Sequence, residues 1–421
     1  MRKPLGTLIV LFFVISLCAS GVQAARSAEE IDSLGKSLTP LGGEKAGNAD
    51  GTIPAWEGGI TAPPAGYTPG AHHPDPYADD PVLFKITKAN MEEYADKISE
   101  GHKTMFKASD AFYMNVYPTR RSASHPQRIY DATKKYAATA ELTEGGNGIK
   151  GTVIGAPFPI PQNGLEVIWN HIVRYRGEFV DRTFAYAPVT RGGSYTLGIE
   201  HSMIRWKYSL PGMTEEKLDN VILMFRQDLL APPRSAGRIL LVHDTLDQEK
   251  EARKAWTYNP GQRRVRRAPQ VAFDCPGMGS DGLRTTDDYD MFNGSPQRYD
   301  WKLVGKKEMI VPYNAYKLHS DQLKYADIIR PLHLNPEHLR YELHRVWVVE
   351  ANLKEGTRHI YKKRVFYFDE DSWNIVVKDQ YDNRDKLWRF SEGHLINYYD
   401  VPTPWYTCEG LSSIKKLKKR V

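Results

Sequence analysis

The sequence predicts an α+β protein whose larger part is an antiparallel β-meander, either closed into a barrel or covered on one face by helices. Three observations carry this reading. From about Arg238 onward, apolar and polar residues alternate with a period near two, and short polar turns interrupt them. Before that point, three apolar stripes recur at helical spacing. The first part of the chain, to about Asp80, is rich in glycine and proline and shows no hydrophobic period.

The N-terminus has the pattern of a secretory signal. Arg2 and Lys3 precede an apolar run from Leu8 to Leu17, and Val22-Gln23-Ala24 supplies small residues before a cleavage site after Ala24. The run is too short for a stable membrane span. Leu17 is too bulky to make Cys18 a lipid-attachment site. The domains expected are a signal peptide at 1–24, a Gly/Pro-rich arm at 25–80, and one helix-covered β-barrel domain at 81–421. The expected compartment is the periplasm, with association to the outer membrane open. In the arm, Ile53, Trp56, Ile60 and Tyr67 predict packing against the body, because a disordered linker rarely carries such residues.

Helices are expected in three places. The first runs from an N-cap at Thr87 through Met91, Tyr94, Ala95 and Ile98 to Gly101. The second has Asn163 as cap, Glu166 completing a capping box, a stripe of Leu165, Ile168, Trp169 and Ile172, and Gly177 as its end. The third starts at Thr214, presents Leu218, Val221, Ile222 and Phe225, and stops at Pro232-Pro233. Strands are expected at 238–246, 254–258, 263–267, 299–305, 341–353, 361–369, 373–382 and 386–390.

The stretch WTYNPGQRRVRRAPQ at 256–270 holds four arginines in five positions and invites a nucleic-acid reading. Charge argues against it. The net charge is +6, and the tail alone contributes Lys415, Lys416, Lys418, Lys419 and Arg420, which leaves the body near neutral. Asn259-Pro260-Gly261-Gln262 suits a type II turn between two strands. Trp256 and Tyr258 then share one face of the first strand. In the second, Arg264 and Arg266 share a face while Arg263, Val265 and Arg267 share the other. The stretch is a hairpin, with arginines placed to stack across strands on Trp256 or Tyr258.

An aromatic-x-aromatic-x-Pro turn leading into an Arg-rich strand resembles the hairpin of periplasmic lipoprotein-sorting (Lol-type) carriers. Four longer segments resemble domain-of-unknown-function family 1329: AGNADGTIPAWEGGI (46–60), GAPFPIPQNGLEVIWNHIVRYRG (155–177), LLVHDTLDQ (240–248) and TTDDYDMFNGSPQRYDWKLVGKKEM (285–309). The resemblance implies a large, half-open antiparallel β-barrel with helices as a lid over an apolar hollow. It also implies a carrier of acyl chains or other lipids, by analogy of fold alone.

The remaining motifs have plainer explanations. NADGTI copies part of a calcium loop, but Ala46 stands at the first ligand position and Pro54 interrupts it, so a glycine turn with Asp50 bonding the backbone is expected. His72-His73-Pro74-Asp75 reads as a solvated loop, and His171 and His201 as structural histidines. Asp287, Asp288 and Asp290 are expected to pair with Arg263–Arg267 on a neighbouring strand. Cys275 and Cys408 are either a disulfide or two thiols; both stay open. Nucleophile elbow, zincin, Walker and dinucleotide motifs are absent from the sequence, so neither an enzyme nor a cofactor nor a metal site is expected.

Trp256, Tyr258, Arg264, Arg266, Trp301, Trp347, Phe366, Phe368 and Trp388 are the candidates for a ligand cavity or for the hairpin contact. Half or more of the aromatics must simply fill the core. The function expected is a non-enzymatic carrier or binding protein for a lipid or other apolar molecule, acting in outer-membrane lipid or lipoprotein trafficking. Its partner would be an inner-membrane exporter of the resistance-nodulation-division type or an outer-membrane protein. The alternative is an envelope adaptor without a cavity. The basic tail is either solvated or touches anionic headgroups.

Overall fold

A computed structural model describes residues 26–268, 271 and 273–414. The signal region with Cys18 and the cleavage site after Ala24, and the basic tail at 415–420, lie outside the described residues. The strands in chain order are β1 (Phe84–Ile86), β2 (Met114–Val116), β3 (Glu141–Leu142), β4 (Ile149–Lys150), β5 (Phe179–Tyr186), β6 (Gly198–Arg205), β7 (Val221–Ala231) and β8 (Ile239–Thr245). They continue with β9 (Lys254–Asn259), β10 (Arg264–Arg267), β11 (Tyr299–Pro312), β12 (Tyr341–Leu353), β13 (Lys363–Asp369), β14 (Ile375–Tyr381), β15 (Leu387–Tyr398) and β16 (Thr403–Ser413). The helices used below are α1 (Ala28–Asp32), α2 (Glu100–Ala108), α3 (Gln127–Tyr136), α4 (Gly164–Val173) and α5 (Glu215–Leu218).

Two meanders follow each other along the chain. β5 to β10 form a six-stranded antiparallel sheet in sequence order. β11 to β16 form most of an eight-stranded sheet, in which β12 pairs with β11 and β13, and β1-β2 joins at its end. Together they make the curled, half-open barrel that the sequence predicts.

The eight-stranded sheet is covered on both faces, which explains why β13 and β14 are buried almost without alternation. α4 lies against one face. It is buried nearly all round, and a Cβ on Gly164 would approach the Trp301 carbonyl to 2.8 Å. α2 lies against the other face, where Gly101 leaves room for the Phe390 ring. The N-terminal arm packs beside it as expected: Ile53 and Trp56 are buried, and the Trp56 indole donates to the Ala123 carbonyl at 3.1 Å.

Three helix expectations meet different outcomes. α4 forms where predicted, with the Asn163 side chain accepting from the Glu166 amide at 3.0 Å. The Glu166 carboxylate turns instead to Arg26, so no reciprocal box closes, and the helix ends at Val173, ahead of Gly177. The stretch 87–101 is not a helix; the regular helix is α2, capped by Ser99. Its apolar spacing was served instead by a short 3-10 turn, and Gly101 is the close-packing position in the first turn of α2. The third helix stops after one turn, because Asp219 and Asn220 both adopt left-handed backbone and redirect the chain into β7. Val221, Ile222 and Phe225 therefore belong to a strand.

The 256–270 stretch is the expected hairpin, β9-β10, with Trp256 opposite Arg267 and Tyr258 opposite Val265. The turn is not type II: Gly261 is not left-handed, and the positive φ falls on Arg263 at 50°. The Asn259 side chain accepts the Gly261 amide at 3.0 Å, and this side-chain bond replaces the need for a left-handed glycine.

The acidic cluster does not pair with the hairpin arginines. Asp287 accepts from Arg364 at 2.8 Å and Asp288 from Lys378 at 2.6 Å, both bases standing on the α4 side of the eight-stranded sheet. Asp290 accepts from Arg174 at 2.8 Å, from Arg176, and from the Trp405 indole at 2.8 Å. Hairpin arginines are exposed on a far edge strand, whereas these three carboxylates are buried and require buried partners. Burial alone would raise the Asp288 carboxyl; Lys378 and Arg364 outweigh it and hold it well below the usual range.

Removing one partner of such a pair leaves a buried charge. Arg364→Met is expected to lower the unfolding free energy by about 3–5 kcal/mol, against about 0.5 kcal/mol or less for Arg266→Ala on the exposed hairpin. Urea unfolding measures both. Equal stability of the two variants would show that the network does not hold the sheets.

Candidate functional site

The six-stranded sheet is covered differently from its neighbour. Its inner face carries Arg182 on β5, Glu200, Ser202 and Ile204 on β6, Phe225, Gln227 and Leu229 on β7, and Leu240 and Val242 on β8, as the cross-strand register requires. The alternating burial of β6 shows one face turned inward. The chain between Val271 and Asn293 covers this face, together with the C-terminal end of α4.

A hollow of about 90 Å³ remains between them. Ile204, Leu223, Phe225, Leu240 and Val242 form its apolar wall, Ile172 and Trp206 its floor, and Met278 and Tyr289 part of its roof. Arg176 lies flat on the Trp206 ring with its guanidinium carbon 3.7 Å from the centroid. Arg253 reaches Asp244 at 2.7 Å and also donates to the Val271 carbonyl at 2.9 Å, so it ties the start of the roof to β8.

Two buried polar atoms in the hollow's lining, Arg176 Nε and Trp206 Nε1, have no partner, nor do Arg182 Nε, Glu200 Oε1 and Ser202 Oγ on the adjoining sheet face. The Glu200 residue is 1% exposed, and its other oxygen accepts from the Gln227 amide. Burial pushes the Glu200 carboxyl up to about 7, against the attraction of Arg284 and Arg182. Buried polar atoms are ordinarily satisfied; those here border a hollow with an apolar wall, where a ligand can meet them, whereas others, on Arg364, Asp369 and His394, lie within the larger sheet.

None of the nine residues proposed from sequence lines this hollow. Trp301 and Phe366 meet on Phe292 in the core, stacked at 5.5 Å, and Phe368 packs beside Phe366 and His171 of α4, because α4 presses that face closed. Trp347 stacks on Trp373 with Lys306 above it, and Trp388 sits beside Tyr361 and Arg389. Trp256 and Tyr258 lie on the opposite face of the six-stranded sheet from the hollow. There Arg267 stacks on Trp256 at 5.8 Å, the cross-strand contact predicted. Arg264 and Arg266 are exposed at the free edge.

The other sequence candidates resolve as follows. In NADGTI the Asn48 side chain, not Asp50, accepts the Ile53 amide at 2.9 Å. His171 is satisfied by the Trp373 carbonyl, which accepts from Nδ1 at 2.9 Å, and by the Arg174 guanidinium, which donates to Nε2 at 3.2 Å. The His72-His73 loop is less solvated than expected: His73 meets Asp400 at 2.8 Å, and both rings pack on His319. No disulfide joins Cys275 to Cys408. Burial pushes the Cys408 thiol up to about 12. His344, Asp369 and Asp371 present ligand atoms within 4.8 Å of one another, but Arg121 grips both oxygens of Asp371, and Tyr313 and Ser372 donate to Asp369.

The site residues that sequence reading missed are those of β6 and β7. Their signal was present: Glu200, Ser202 and Ile204 alternate with outward residues, and Asp219-Asn220 is a turn pair.

Because Glu200 binds its proton more tightly folded than unfolded, its stabilisation is complete below its ordinary value of 4.5 and is lost as pH rises through about 7. The stability of wild type relative to Glu200→Gln should therefore fall by on the order of 3 kcal/mol across that window. Parallel pH–stability curves would show that Glu200 is not held in this environment.

Comparison with known proteins agrees with the segments read from sequence. Residues 85–417 match the family described as Protein of unknown function (DUF1329). An uncharacterized protein of Pseudomonas aeruginosa is 51% identical over 398 residues, covering 94% of this chain and 88% of the relative. A Vibrio parahaemolyticus domain named for outer-membrane lipoprotein sorting aligns with a TM-score of 0.39 at 14% identity, over 59% of this chain and 85% of its own. A DUF1329 family protein from Desulfovibrio piger gives a TM-score of 0.37 at 14% identity, over 56% of this chain and 78% of its own. On the extent of the family match and the close Pseudomonas relative, the chain belongs to the DUF1329 family.

Proposed function

We propose that the protein is a non-enzymatic periplasmic carrier that binds a lipid or similar apolar molecule on the inner face of the six-stranded sheet. The hollow behind that sheet is the observation that carries the reading: its wall is aliphatic and aromatic, and its cover is mostly irregular chain, with only the end of α4 beside it. Each methylene taken from water there contributes roughly 0.8 kcal/mol. Ligand pockets usually enclose about 300–1,000 Å³, so the 90 Å³ hollow is the closed form and a ligand must lift the roof. Gly279, Asp281 and Gly282, all left-handed, give the roof a run of sharp turns above the wall. In this reading an inner-membrane exporter of the resistance-nodulation-division superfamily, or an outer-membrane protein, receives or delivers the cargo.

A second reading, an envelope adaptor, is favoured by the hairpin. Val265 is 65% exposed between exposed arginines at a free sheet edge, a surface suited to a protein partner.

Organic extraction of protein purified from its native envelope, followed by mass spectrometry, is expected to yield a stoichiometric apolar species. Val242→Trp, which fills the hollow at a stability cost of about 1–3 kcal/mol, should empty it. Cargo retained in that variant places the ligand elsewhere, and an empty wild type that also refuses envelope lipids removes the carrier reading. For the adaptor, Arg264→Ala with Arg266→Ala should lose a co-purifying envelope protein that the parent retains; undiminished recovery takes the hairpin out of the interface.

A further inference from the structure

Three arginines line the hollow, Arg176, Arg253 and Arg284, and a fourth, Arg182, stands behind Tyr289; they fall into two kinds. Arg176 and Arg253 have carboxylate partners, Asp290 and Asp244. Arg182 and Arg284 form no ion pair among the described residues, yet both converge on Tyr289 from opposite elements. Arg182, on β5, donates to the Tyr289 hydroxyl at 2.8 Å, and Arg284, in the roof, lies 5.1 Å from the Tyr289 ring. Tyr289 itself packs on Phe225 of the apolar wall at 5.7 Å. The two unmatched cations therefore stand where the apolar wall ends.

The atoms beside them are short of acceptors. Arg182 Nε and Ser202 Oγ are buried without partners, and the register sets Arg182, Ser202 and Gln227 in one cross-strand row. Gln227 has already spent its amide on Glu200. Two guanidinium groups and a hydroxyl match the chemistry of an oxyanion.

We propose that this row is a headgroup site, and that the cargo is an acidic amphiphile with its chain against Ile204, Phe225 and Val242 and its carboxylate or phosphate between Arg182 and Arg284. The inference rests on the carrier reading and specifies its cargo. Glu200 stands two residues along β6 from this row, faced by Arg182 and Tyr186 from β5, Gln227 from β7 and Arg284 from the roof. Glu409 on β16 also faces both arginines, and Asp290 faces Arg182. Burial favours the neutral form of Glu200 near neutral pH, in which it donates a hydrogen bond to the oxyanion.

The test holds the chain constant and changes the head. Hexadecanoic acid, monohexadecyl phosphate and hexadecanol are titrated into the full-length mature protein below their micellar concentrations. At least one acidic compound is expected to bind about tenfold or more tightly than the alcohol, from charge-assisted hydrogen bonds. Arg284→Gln, on the roof surface, and Arg182→Gln should each bring the acidic compound toward the alcohol while leaving alcohol binding unchanged. The stronger of the two acidic ligands distinguishes a fatty-acid head from a phospholipid head. Alcohol binding as tight as the acids in wild type overturns the headgroup site and leaves the carrier reading standing. Binding of none of the three overturns both.

Discussion

The fold depends on three buried carboxylates, Asp287, Asp288 and Asp290, and on the cations that meet them. They sit on one short segment between the two meanders, yet their partners come from the chain just after α4, from β13 and from β14. A segment without a regular ladder of its own is thereby fixed against the larger sheet by charge and hydrogen bonds. Such groups are costly to desolvate, so they gain little stability over an apolar core; what they supply is a unique position. Here that position matters, because Asp290 also borders the hollow.

The consequence is a division of labour between the sheets. The eight-stranded sheet has a helix on each face and an N-terminal arm beside it, and its polar interior atoms are mostly paired. The six-stranded sheet has a continuous ladder, but over its inner face lie mostly irregular chain and only the end of α4. Unpartnered polar atoms occur in both: on Arg182, Glu200 and Ser202 in the smaller sheet, and on Arg364, Asp369 and His394 among others in the larger. A rigid platform beside an incompletely covered sheet is the arrangement expected where one part of a molecule holds shape and another exchanges its contents.

Much of this architecture is legible in the sequence. Every strand expected after Arg238 forms, because period-two alternation and short turns act locally. α4 was legible from its cap and stripe. The failures have physical causes too. At 214–231 an acidic first turn began a real helix, but two left-handed residues cut it short, and the apolar spacing that followed satisfied a strand as well as a helix. The aromatic candidates failed because large rings on strands fill whichever face is most tightly covered, and which face that is depends on α4 and the roof, elements far away in sequence. The hollow could not be read because its wall and roof meet only in three dimensions.

Arg253 gives the roof a particular mechanical character. One guanidinium holds the Val271 carbonyl at one end and Asn293 at the other, while Asp244 fixes the guanidinium itself. The intervening chain is thus a purse drawn shut at its neck. Lengthening a chain between fixed ends costs little, about 0.6 kcal/mol for each doubling. Insertions can therefore enlarge or shrink the purse without disturbing either sheet.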